Sequence, residues 1–274
     1  PVGTVLLLFL IGGVLPGQLF ARIPVTQVFR RYTEGKKGWK RPLLFVQFAG
    51  VAFICGVMWM VTVQYNYVMN KDMGFSVKKV ATTYLSFNKE NGEAARQFFL
   101  GLPYVEAVSN SLWGDPLGGY SGTMIYDEAA QPLFSSRVDY IAEDYLSFMG
   151  MTLKQGRAPR ERYEAVVNET FADRMHWGDE VLGRHVDAKL DDQPVTIVGL
   201  VKDFNIGGCY AEPQPYIAGY APHFSSNLYI KLKEPFGDNI LKLKQTTAEA
   251  YPGRTIDVYS MQRQFENLYN PVRV

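Results

Sequence analysis

The longest apolar run of the chain lies between residues 42 and 70, where no Asp, Glu, Lys or Arg occurs. Its core, Leu43 to Val63, is 21 residues long. As a helix this core would extend ~32 Å, which matches a bilayer hydrocarbon core of ~30 Å. Large apolar side chains fall on every side of that helix, so it has no face suited to water. The run predicts a transmembrane helix, and the alternative is the buried core helix of a soluble domain.

A second uncharged segment, Pro1 to Ala21, opens the chain and is most apolar at Leu6 to Leu10. It has neither a basic start nor a small-residue cleavage site, so it differs from a secretory signal peptide. We expect a second transmembrane helix over residues 1–21. Because the chain would then begin inside a membrane span, we expect the sequence to be a piece of a longer protein.

The segment between the two apolar runs, residues 22–41, carries a net charge of +6. Against the single acid Glu34, its basic residues are Arg22, Arg30, Arg31, Lys36, Lys37, Lys40 and Arg41. Short basic loops between membrane spans stay on the cytoplasmic side, so these residues are the predicted topology determinants. A basic loop can also bind nucleic acid, but its position between two spans favours a topology signal or contact with acidic lipid head groups.

The rest of the chain carries a net charge of −5, and the predicted orientation places it outside the cytoplasm. We expect the second membrane helix to continue past Val63 as a stalk, so that span and stalk cover residues 42–72. Lys71, Asp72 and Gly74 would end it. Strand and helix patterns then alternate over residues 73–274. They predict an α+β (mixed α/β) extracytoplasmic domain of two subdomains.

The individual elements of this domain follow from local patterns. Strands are expected at residues 77–87, 105–109, 124–126, 135–142, 164–167, 194–201, 228–232 and 255–259. Helices are expected at residues 91–102, 143–149 and 261–269. Two more helices are expected to begin after N-caps at Asn168 and Asp238. The helix after Asp238 should turn Ile240, Leu241, Leu243 and Ala248 inward. The run at 194–201 is apolar on both faces, which predicts a central strand covered on both sides.

Residues with catalytic or metal-binding chemistry are few and scattered. His176, His185 and His223 form no i, i+3 or i+4 pair, and no nucleophile elbow, Walker phosphate loop or zinc-protease motif occurs. Cys55 lies in the predicted span and Cys209 is alone in the outer domain, so we expect no internal disulfide. We therefore predict a protein that is not an enzyme and that itself binds no cofactor or metal ion.

Short motifs follow one another in order between residues 149 and 204. They are Met149-Gly150-Met151 with Gly156-Arg157, then Val167-Asn168-Glu169 with Phe171-Ala172, then Trp177, Gly183-Arg184, and Ile197-Val198-Gly199-Leu200-Val201-Lys202-Asp203-Phe204. In order and spacing this region resembles the MacB/FtsX-like ABC transporter permease family, and in particular its MacB-like periplasmic core domain. Val181 stands where that family usually has a proline. The start of the chain resembles a double-length permease, in which residues 1–21 would end a preceding permease half.

The resemblance implies a transmembrane permease subunit of the bacterial inner membrane, with residues 73–274 on the periplasmic side. A separate cytoplasmic ABC ATPase subunit would bind ATP and drive export or mechanotransmission. Besides the lipid bilayer, the implied partners include a second permease half or copy and periplasmic adaptor or outer-membrane proteins, but no nucleic acid. A domain inserted between two spans should also have its first strand, near Val77, close to its last helix.

The motif residues are expected to have structural rather than catalytic roles, in turns, close backbone approaches and helix caps. They are Gly156, Arg157, Asn168, Glu169, Gly183, Gly199 and Asp203. The alternative function is a membrane-anchored sensor, whose extracytoplasmic domain would bind a small ligand and signal inward. The segment that follows residue 274 would distinguish the two, since further spans favour a permease and a kinase or cyclase favours a sensor.

Overall fold

The computed structural model describes residues 40–84, 89–117, 119–127, 129–190, 192–206, 212–221, 227–253 and 256–269. The chain forms two compact units, one that ends at Tyr65 and one that begins at Asn66. The predicted span at residues 1–21 lies outside the described residues. So do the basic residues Arg22, Arg30, Arg31, Lys36 and Lys37, together with Cys209 and His223.

The first described element is a 31-residue helix, α1 (Lys40–Asn70). Pro42 lies in its first turn, where the missing N–H costs no helical hydrogen bond. Within α1, the 27 residues Pro42–Val68 are long and apolar enough to cross a membrane, and none of the most apolar stretch is buried. Trp59, for example, keeps 73% of its surface exposed. The predicted helix is confirmed, and its exposed apolar surface favours a membrane span over the alternative of a buried core helix.

The second unit alternates short strands and helices, so the predicted α+β class is confirmed. Its strands are β1 (Val80–Tyr84), β2 (Val105–Ser111), β3 (Ser121–Tyr126), β4 (Pro132–Ile141), β5 (Leu153–Gly156), β6 (Glu164–Asn168), β7 (His185–Val186), β8 (Val195–Val201), β9 (Tyr216–Tyr220), β10 (Asn227–Leu232) and β11 (Val258–Ser260). Its helices are α2 (Lys89–Leu100), α3 (Tyr145–Phe148), α4 (Glu169–Arg174), α5 (Phe236–Ala250) and α6 (Met261–Tyr269).

Within the described residues, all the strands belong to one sheet in the order β11-β1-β10-β2-β4-β9-β6-β8-β5, with β3 on β4 and β7 on β8. The pairs β4–β9 and β6–β8 are parallel and the other pairs are antiparallel. The prediction of a central strand at residues 194–201 is wrong in position, because β8 lies next to the edge strand β5. Its coverage is also incomplete, since Thr196 and Val198 are only half-buried.

The sheet is narrowest between β2 and β4, whose described register is a single pair, Ser111 with Ile141. On one side lie β11, β1, β10 and β2, packed on α2 and α5 around Phe99 and Leu243. On the other side lie the remaining strands, packed on α4 around Phe171. We call these parts the first and second lobes. The predicted pair of subdomains stays a prediction, because the chain from Asn66 onward forms one compact unit and a third buried cluster includes residues from both lobes.

Helix α5 differs from its prediction in both its start and its buried face. It begins at Phe236, so Asp238 lies in the first turn and does not cap the helix. Asn239, Leu243 and Thr247 are buried, each one helical turn after the last, whereas Leu241 is 65% exposed. The predicted inward face is therefore wrong for Leu241, and also for the exposed Ala248. Polar side chains can occupy this face because Asn239 Nδ2 donates to the Lys233 carbonyl (2.9 Å) and Thr247 Oγ1 donates to the Leu243 carbonyl (2.7 Å).

Candidate functional site

The segment after α1 and the last described helix lie at one place in the domain, which we call the root: residues 70–78 with β1, β11 and α6. Strand β1 pairs with β11, so that Ala81 lies opposite Ser260 and Thr83 lies opposite Val258. Helix α6 follows β11 directly and also contacts β1. The first strand and the last helix are therefore neighbours, as predicted. Strand β1 itself is shorter than predicted, because Lys79 adopts a left-handed φ of 61° that separates residues 77–79 from the strand.

The entering segment of the root is attached to the domain by backbone hydrogen bonds. Ser76 N donates to the Met149 carbonyl (2.7 Å), and Asn205 N donates to the Met73 carbonyl (2.9 Å). Between this segment and α6 lies a cavity of about 570 Å³. The entering segment of the root is therefore fixed to the domain by its backbone and borders an open cavity.

A second arrangement joins the two lobes across the narrow part of the sheet, and the sequence patterns do not predict it. Asp139 Oδ1, from β4 in the second lobe, accepts hydrogen bonds from the backbone N–H groups of Trp113 (2.9 Å), Gly114 (3.0 Å) and Tyr140 (2.7 Å). The loop that carries Trp113 and Gly114 continues from β2 of the first lobe. A carboxylate of one lobe therefore holds a loop of the other.

The carbonyl of Gly114 completes this contact on the side of the first lobe. It accepts hydrogen bonds from Ser111 Oγ (2.6 Å), Tyr229 OH (2.9 Å) and Asn227 Nδ2 (3.1 Å). We call Asp139, Gly114, Ser111, Asn227 and Tyr229 the interlobe clasp. A side chain at position 114 would not fit, since a Cβ there would lie 2.3 Å from Asp139 Oδ2.

The interior of the clasp region is unusually rich in buried hydroxyl groups around one carboxyl group. Asp139 is completely buried, and its Oδ2 has no hydrogen-bond partner among the residues that the structure describes. Burial raises the pKa of Asp139 to about 7, although the backbone N–H groups lower it in part. Burial also raises the pKa of Tyr120, Tyr145, Tyr216 and Tyr229 well above the usual value, so these phenols stay neutral.

Among the predicted motif residues, Asn168 lies at the centre of a buried network where β6 ends and α4 begins. Its Oδ1 accepts hydrogen bonds from Phe171 N (3.1 Å), as the predicted cap does, and from Tyr216 N (2.9 Å). Its Nδ2 donates to Asp203 Oδ1 (2.7 Å) and to the Gln214 carbonyl (2.9 Å). One amide side chain thus connects β6, α4, the residue two beyond β8, and the start of β9.

Asp203 and Glu169 extend this network at the start of α4. Asp203 Oδ1 accepts from Thr170 N (3.0 Å), and Asp203 Oδ2 accepts from Thr170 Oγ1 (2.7 Å). Asp203 N donates in turn to Glu169 Oε2 (2.9 Å). Glu169 also forms an ion pair with Lys154. The hydrogen bonds from Lys154 and from Asp203 N lower the pKa of Glu169 below its usual value.

The motif glycines Gly156 and Gly199 lie where the chain around β5 passes close to β8. A Cβ at Gly156 would lie 2.1 Å from the Val198 carbonyl oxygen, and one at Gly199 would lie 2.3 Å from the Arg157 carbonyl oxygen. Gly183 lies apart from them with a left-handed φ of 80°, and the space around its missing Cβ is open. Two of the three motif glycines therefore permit close backbone contact, and the third permits a turn.

The guanidinium of Arg157 forms two hydrogen bonds with the carboxylate of Glu164, and the one from Nη1 to Oε2 measures 2.7 Å. Arg160 N also donates to Glu164 Oε2 (2.9 Å). The hydrogen bond from Arg157 is the main cause that lowers the pKa of Glu164 to about 2, and partial burial opposes it. This pair closes the loop between β5 and β6.

Comparison with known proteins now identifies the domain. The sequence profile of the MacB-like periplasmic core domain matches residues 47–261. This chain belongs to the MacB-like periplasmic core domain family. The domains of this family are the extracytoplasmic parts of MacB/FtsX-like ABC transporter permeases, so the resemblance found in the sequence is confirmed. No curated protein sequence matches the chain.

The chain is also similar in fold to solved structures. The chain is similar to the crystal structure of the periplasmic region of MacB from Actinobacillus actinomycetemcomitans, with a TM-score of 0.53 and 12% identity over 74% of this chain and 99% of that one. It also matches the extracellular domain of the ABC-type transporter YknZ from Gram-positive bacteria, with a TM-score of 0.46 and 14% identity over 66% of this chain and 98% of that one. The similarity to the MacB region shows that the two share a fold.

Within this MacB-like domain, the predicted motif residues form two groups and one separate turn. One group lies at the start of α4 and consists of Asn168, Glu169 and Asp203. The other lies beside β8 and consists of Gly156, Arg157 and Gly199. The separate turn contains Gly183. Of the predicted topology residues, Lys40 and Arg41 begin α1 and the others lie outside the described residues. Their effect on orientation stays a prediction.

Binding of a metal ion by the described part of this MacB-like domain would require a cluster of ligating side chains. In that part, no three His, Cys, Asp or Glu side chains lie close enough together to hold a metal ion. His185 Nδ1 lies 3.2 Å from Thr196 Oγ1 on the exposed side of β7 and β8. The features that remain as functional candidates are the root and the interlobe clasp.

Proposed function

We propose that this chain is part of a transmembrane permease subunit of an ABC-type export or mechanotransmission system. In this proposal α1 crosses the bacterial inner membrane, residues 73–274 lie in the periplasm, and a separate cytoplasmic ABC ATPase subunit binds the ATP. Family membership supports the permease role. The exposed apolar surface of α1 supports insertion into the lipid bilayer. A second permease half or copy and periplasmic adaptor or outer-membrane proteins belong to the same proposal.

The observation that carries the mechanism is the pairing of β1 with β11 at the root. Strand β1 follows the segment that leaves α1, and β11 precedes α6, so each strand is connected to one end of the domain. Ala81 of β1 lies opposite Ser260 of β11 on one side and opposite Ile230 of β10 on the other. A displacement of either end must therefore act on the first lobe as a whole, since the ladder resists sliding.

Movement can reach the second lobe along a short path. The lobes are joined by the register pair Ser111 and Ile141, by the interlobe clasp and by the buried cluster that they share. We place the hinge of this mechanism where the sheet pairing between the lobes is shortest, so that small shifts at one end become larger displacements at the other. In this mechanism the ATPase would move the membrane helices, the root would follow them, and the second lobe would change its angle.

Two measurements test the proposal. In a chain with Cys55→Ala and Cys209→Ser, the variant Glu161→Cys should react with a membrane-impermeant maleimide in cells whose outer membrane alone is permeable. The matched variant Lys37→Cys should react only after lysis, because it is predicted to be cytoplasmic. Glu161 is an exposed residue of the second lobe. Protection of Glu161→Cys in these cells until they are lysed would overturn the proposed orientation.

The energy source is tested by purifying the full-length protein from its own membranes in a mild detergent. We expect an ABC ATPase subunit to purify with it, and the ATPase rate of the complex in nanodiscs to depend on the permease. Co-purification of a histidine kinase or a cyclase in place of an ATPase would support the sensor alternative and refute the permease proposal.

A further inference from the structure

The lining of the root cavity begins close in sequence to the end of the apolar span. Its lining begins at Asn70, and the apolar span ends two residues earlier at Val68. Two helical residues rise by ~3 Å, whereas each polar head-group layer of a bilayer is ~5–7 Å thick. If α1 crosses the membrane, as proposed above, the first residue of the lining, Asn70, lies within the head-group layer.

The lining of the cavity is amphipathic. Met73, Phe75 and Phe265 form apolar walls, and each of them is at most 9% exposed because it also packs in the shared core cluster. Lys71 and Lys78 contribute two positive charges to the lining. An apolar wall beside cationic groups can bind an amphipathic molecule that has an anionic head group and an apolar tail.

The charge of the lining is the reverse of the charge of the domain around it. Residues 71–274 carry a net charge of −5, but the lining includes two lysines and a single acid, Asp72. The Oδ1 of Asp72 accepts the hydrogen bond of Gly74 N (2.9 Å). A positive cavity in an acidic domain, placed next to a membrane surface, attracts the phosphate of a lipid head group.

The cavity walls are held in place before any ligand binds. Gly74 has a left-handed φ of 80°, and a Cβ at this position would lie 2.7 Å from Phe204 Cβ, so the entering segment lies directly on the second lobe. Ser76 N donates to the Met149 carbonyl (2.7 Å). A preformed cavity of about 570 Å³ falls in the range of ordinary ligand sites.

We propose that the root cavity binds the phosphate head group of an anionic phospholipid from the outer leaflet of the membrane in which α1 lies. The phosphate contacts Lys78 and Lys71, and the glycerol and first acyl carbons lie against Phe75 and Phe265. A lipid bound there contacts both the entering segment and α6. It therefore stabilises one relative position of the two ends of the domain.

The test uses the full-length protein in nanodiscs of phosphatidylcholine and phosphatidylglycerol. Phosphatidylglycerol with a photoreactive group on its head should crosslink to residues 70–78 and 262–265, as located by mass spectrometry of peptides. Unlabelled phosphatidylglycerol should compete, whereas phosphatidylcholine, inorganic phosphate and glycerol phosphate should not. Crosslinking that is competed by the soluble phosphates as well as by the lipid would overturn the proposal.

A pair of neighbouring lysines provides the matched variants. Lys78 lines the cavity, whereas Lys79 is exposed beside it, pairs with Glu234 (3.3 Å) and does not line it. Lys78→Gln should reduce crosslinking at the root about fivefold, the factor that corresponds to one lysine at an anionic surface. Lys79→Gln should leave it unchanged. Equal effects of the two substitutions would indicate general attraction to the membrane surface and would refute a bound head group.

A second probe separates failure of this proposal from failure of the membrane assignment. Phosphatidylglycerol with the photoreactive group at the end of an acyl chain should label α1 between Leu43 and Val63, whatever happens at the cavity. Labelling of α1 without head-group labelling at the root would refute the lipid site alone. Loss of both would refute the membrane position of α1, and the lipid site with it.

Discussion

Replacing Asp139 by asparagine should change how the stability of the domain depends on pH. Asp139 is buried in the interlobe clasp, where its Oδ1 accepts three backbone N–H groups. Burial raises the pKa of the carboxyl group in the folded protein to about 7, from 3.8 in its ordinary state. Between these two pH values, the folded protein keeps a proton that the unfolded chain has released.

The direction and size of the effect follow from proton linkage. Below pH ~4 both states hold the proton, and the contribution of Asp139 to the free energy of unfolding is fully present. That contribution is lost as the pH rises from about 4 through about 7, since the folded pKa is the higher one. Each unit of difference is worth ~1.4 kcal/mol, so the full loss is ~4 kcal/mol. Asparagine keeps an acceptor oxygen for the N–H groups but cannot ionise, so the variant should not lose stability in this way.

The assay is urea unfolding of the full chain in detergent, followed by tyrosine near-ultraviolet circular dichroism, at pH 5 and pH 8. From pH 5 to pH 8, the free energy of unfolding of the wild type should fall by ~3 kcal/mol relative to that of Asp139→Asn. The two pKa values of Asp139 are about three pH units apart, and about two of these units lie between pH 5 and pH 7. Comparing the two chains at each pH cancels the titration of the other groups.

Asp139→Ala is the control for the role of the hydrogen bonds. It leaves the N–H groups of Trp113, Gly114 and Tyr140 without their acceptor, and each unsatisfied buried group costs ~1–3 kcal/mol. This variant should therefore be less stable than the wild type at both pH values. If the wild type and Asp139→Asn show parallel dependence on pH, Asp139 is already ionised at pH 5 in the folded protein and the reasoning about its burial is refuted.

Two further predictions concern the motif residues. Gly199→Ala should lower the free energy of unfolding by ~1–3 kcal/mol in the same urea assay, because its methyl group would meet the Arg157 carbonyl oxygen at 2.3 Å. The control is Gly122→Ala, since the atom nearest to a Cβ at Gly122 is 3.9 Å away. Equal effects of the two substitutions would contradict the packing argument. Arg157→Gln should destabilise the domain at pH 7 more than at pH 2.5, since Arg157 lowers the pKa of Glu164 to about 2 and that stabilisation is lost as the pH falls from 4.5 through this value. A pH-independent difference between Arg157→Gln and the wild type would show that the pair does not act through the charge of Glu164.

The elements that the sequence predicts well are those specified by neighbouring residues. Helix α1 follows from an uncharged run, and α6 follows from an amphipathic segment whose predicted bounds, residues 261–269, agree with the structure. Helix α4 begins after Asn168 as predicted, because the cap acts within three residues, on Phe171 N. Helix α5 departs from its prediction because Asn239 and Thr247 occupy the buried face by bonding to nearby carbonyl groups, which hydrophobic periodicity does not reveal.

The interlobe clasp could not be predicted from local patterns. Asp139 lies 25 residues from Gly114, and Tyr229 lies 115 residues from it, so no sequence window contains the interaction. Within its strand Asp139 has the appearance of a solvent-facing polar position. Its burial depends on β4 lying at the junction of the lobes, which is a property of the sheet order.

The Asn168 network lies between these two cases, because the topology of the sheet explains why distant motif residues meet. Strands β6 and β8 are parallel, and Asn168 is in register with Val201, so their carboxyl ends reach the same edge. Asp203 comes two residues after Val201 and is therefore delivered to the start of α4, where its carboxylate accepts Thr170 N. A negative charge is favourable at this end of a helix. The spacing of the motif in sequence is thus the length of one parallel crossover, which brings Asp203 to the start of α4.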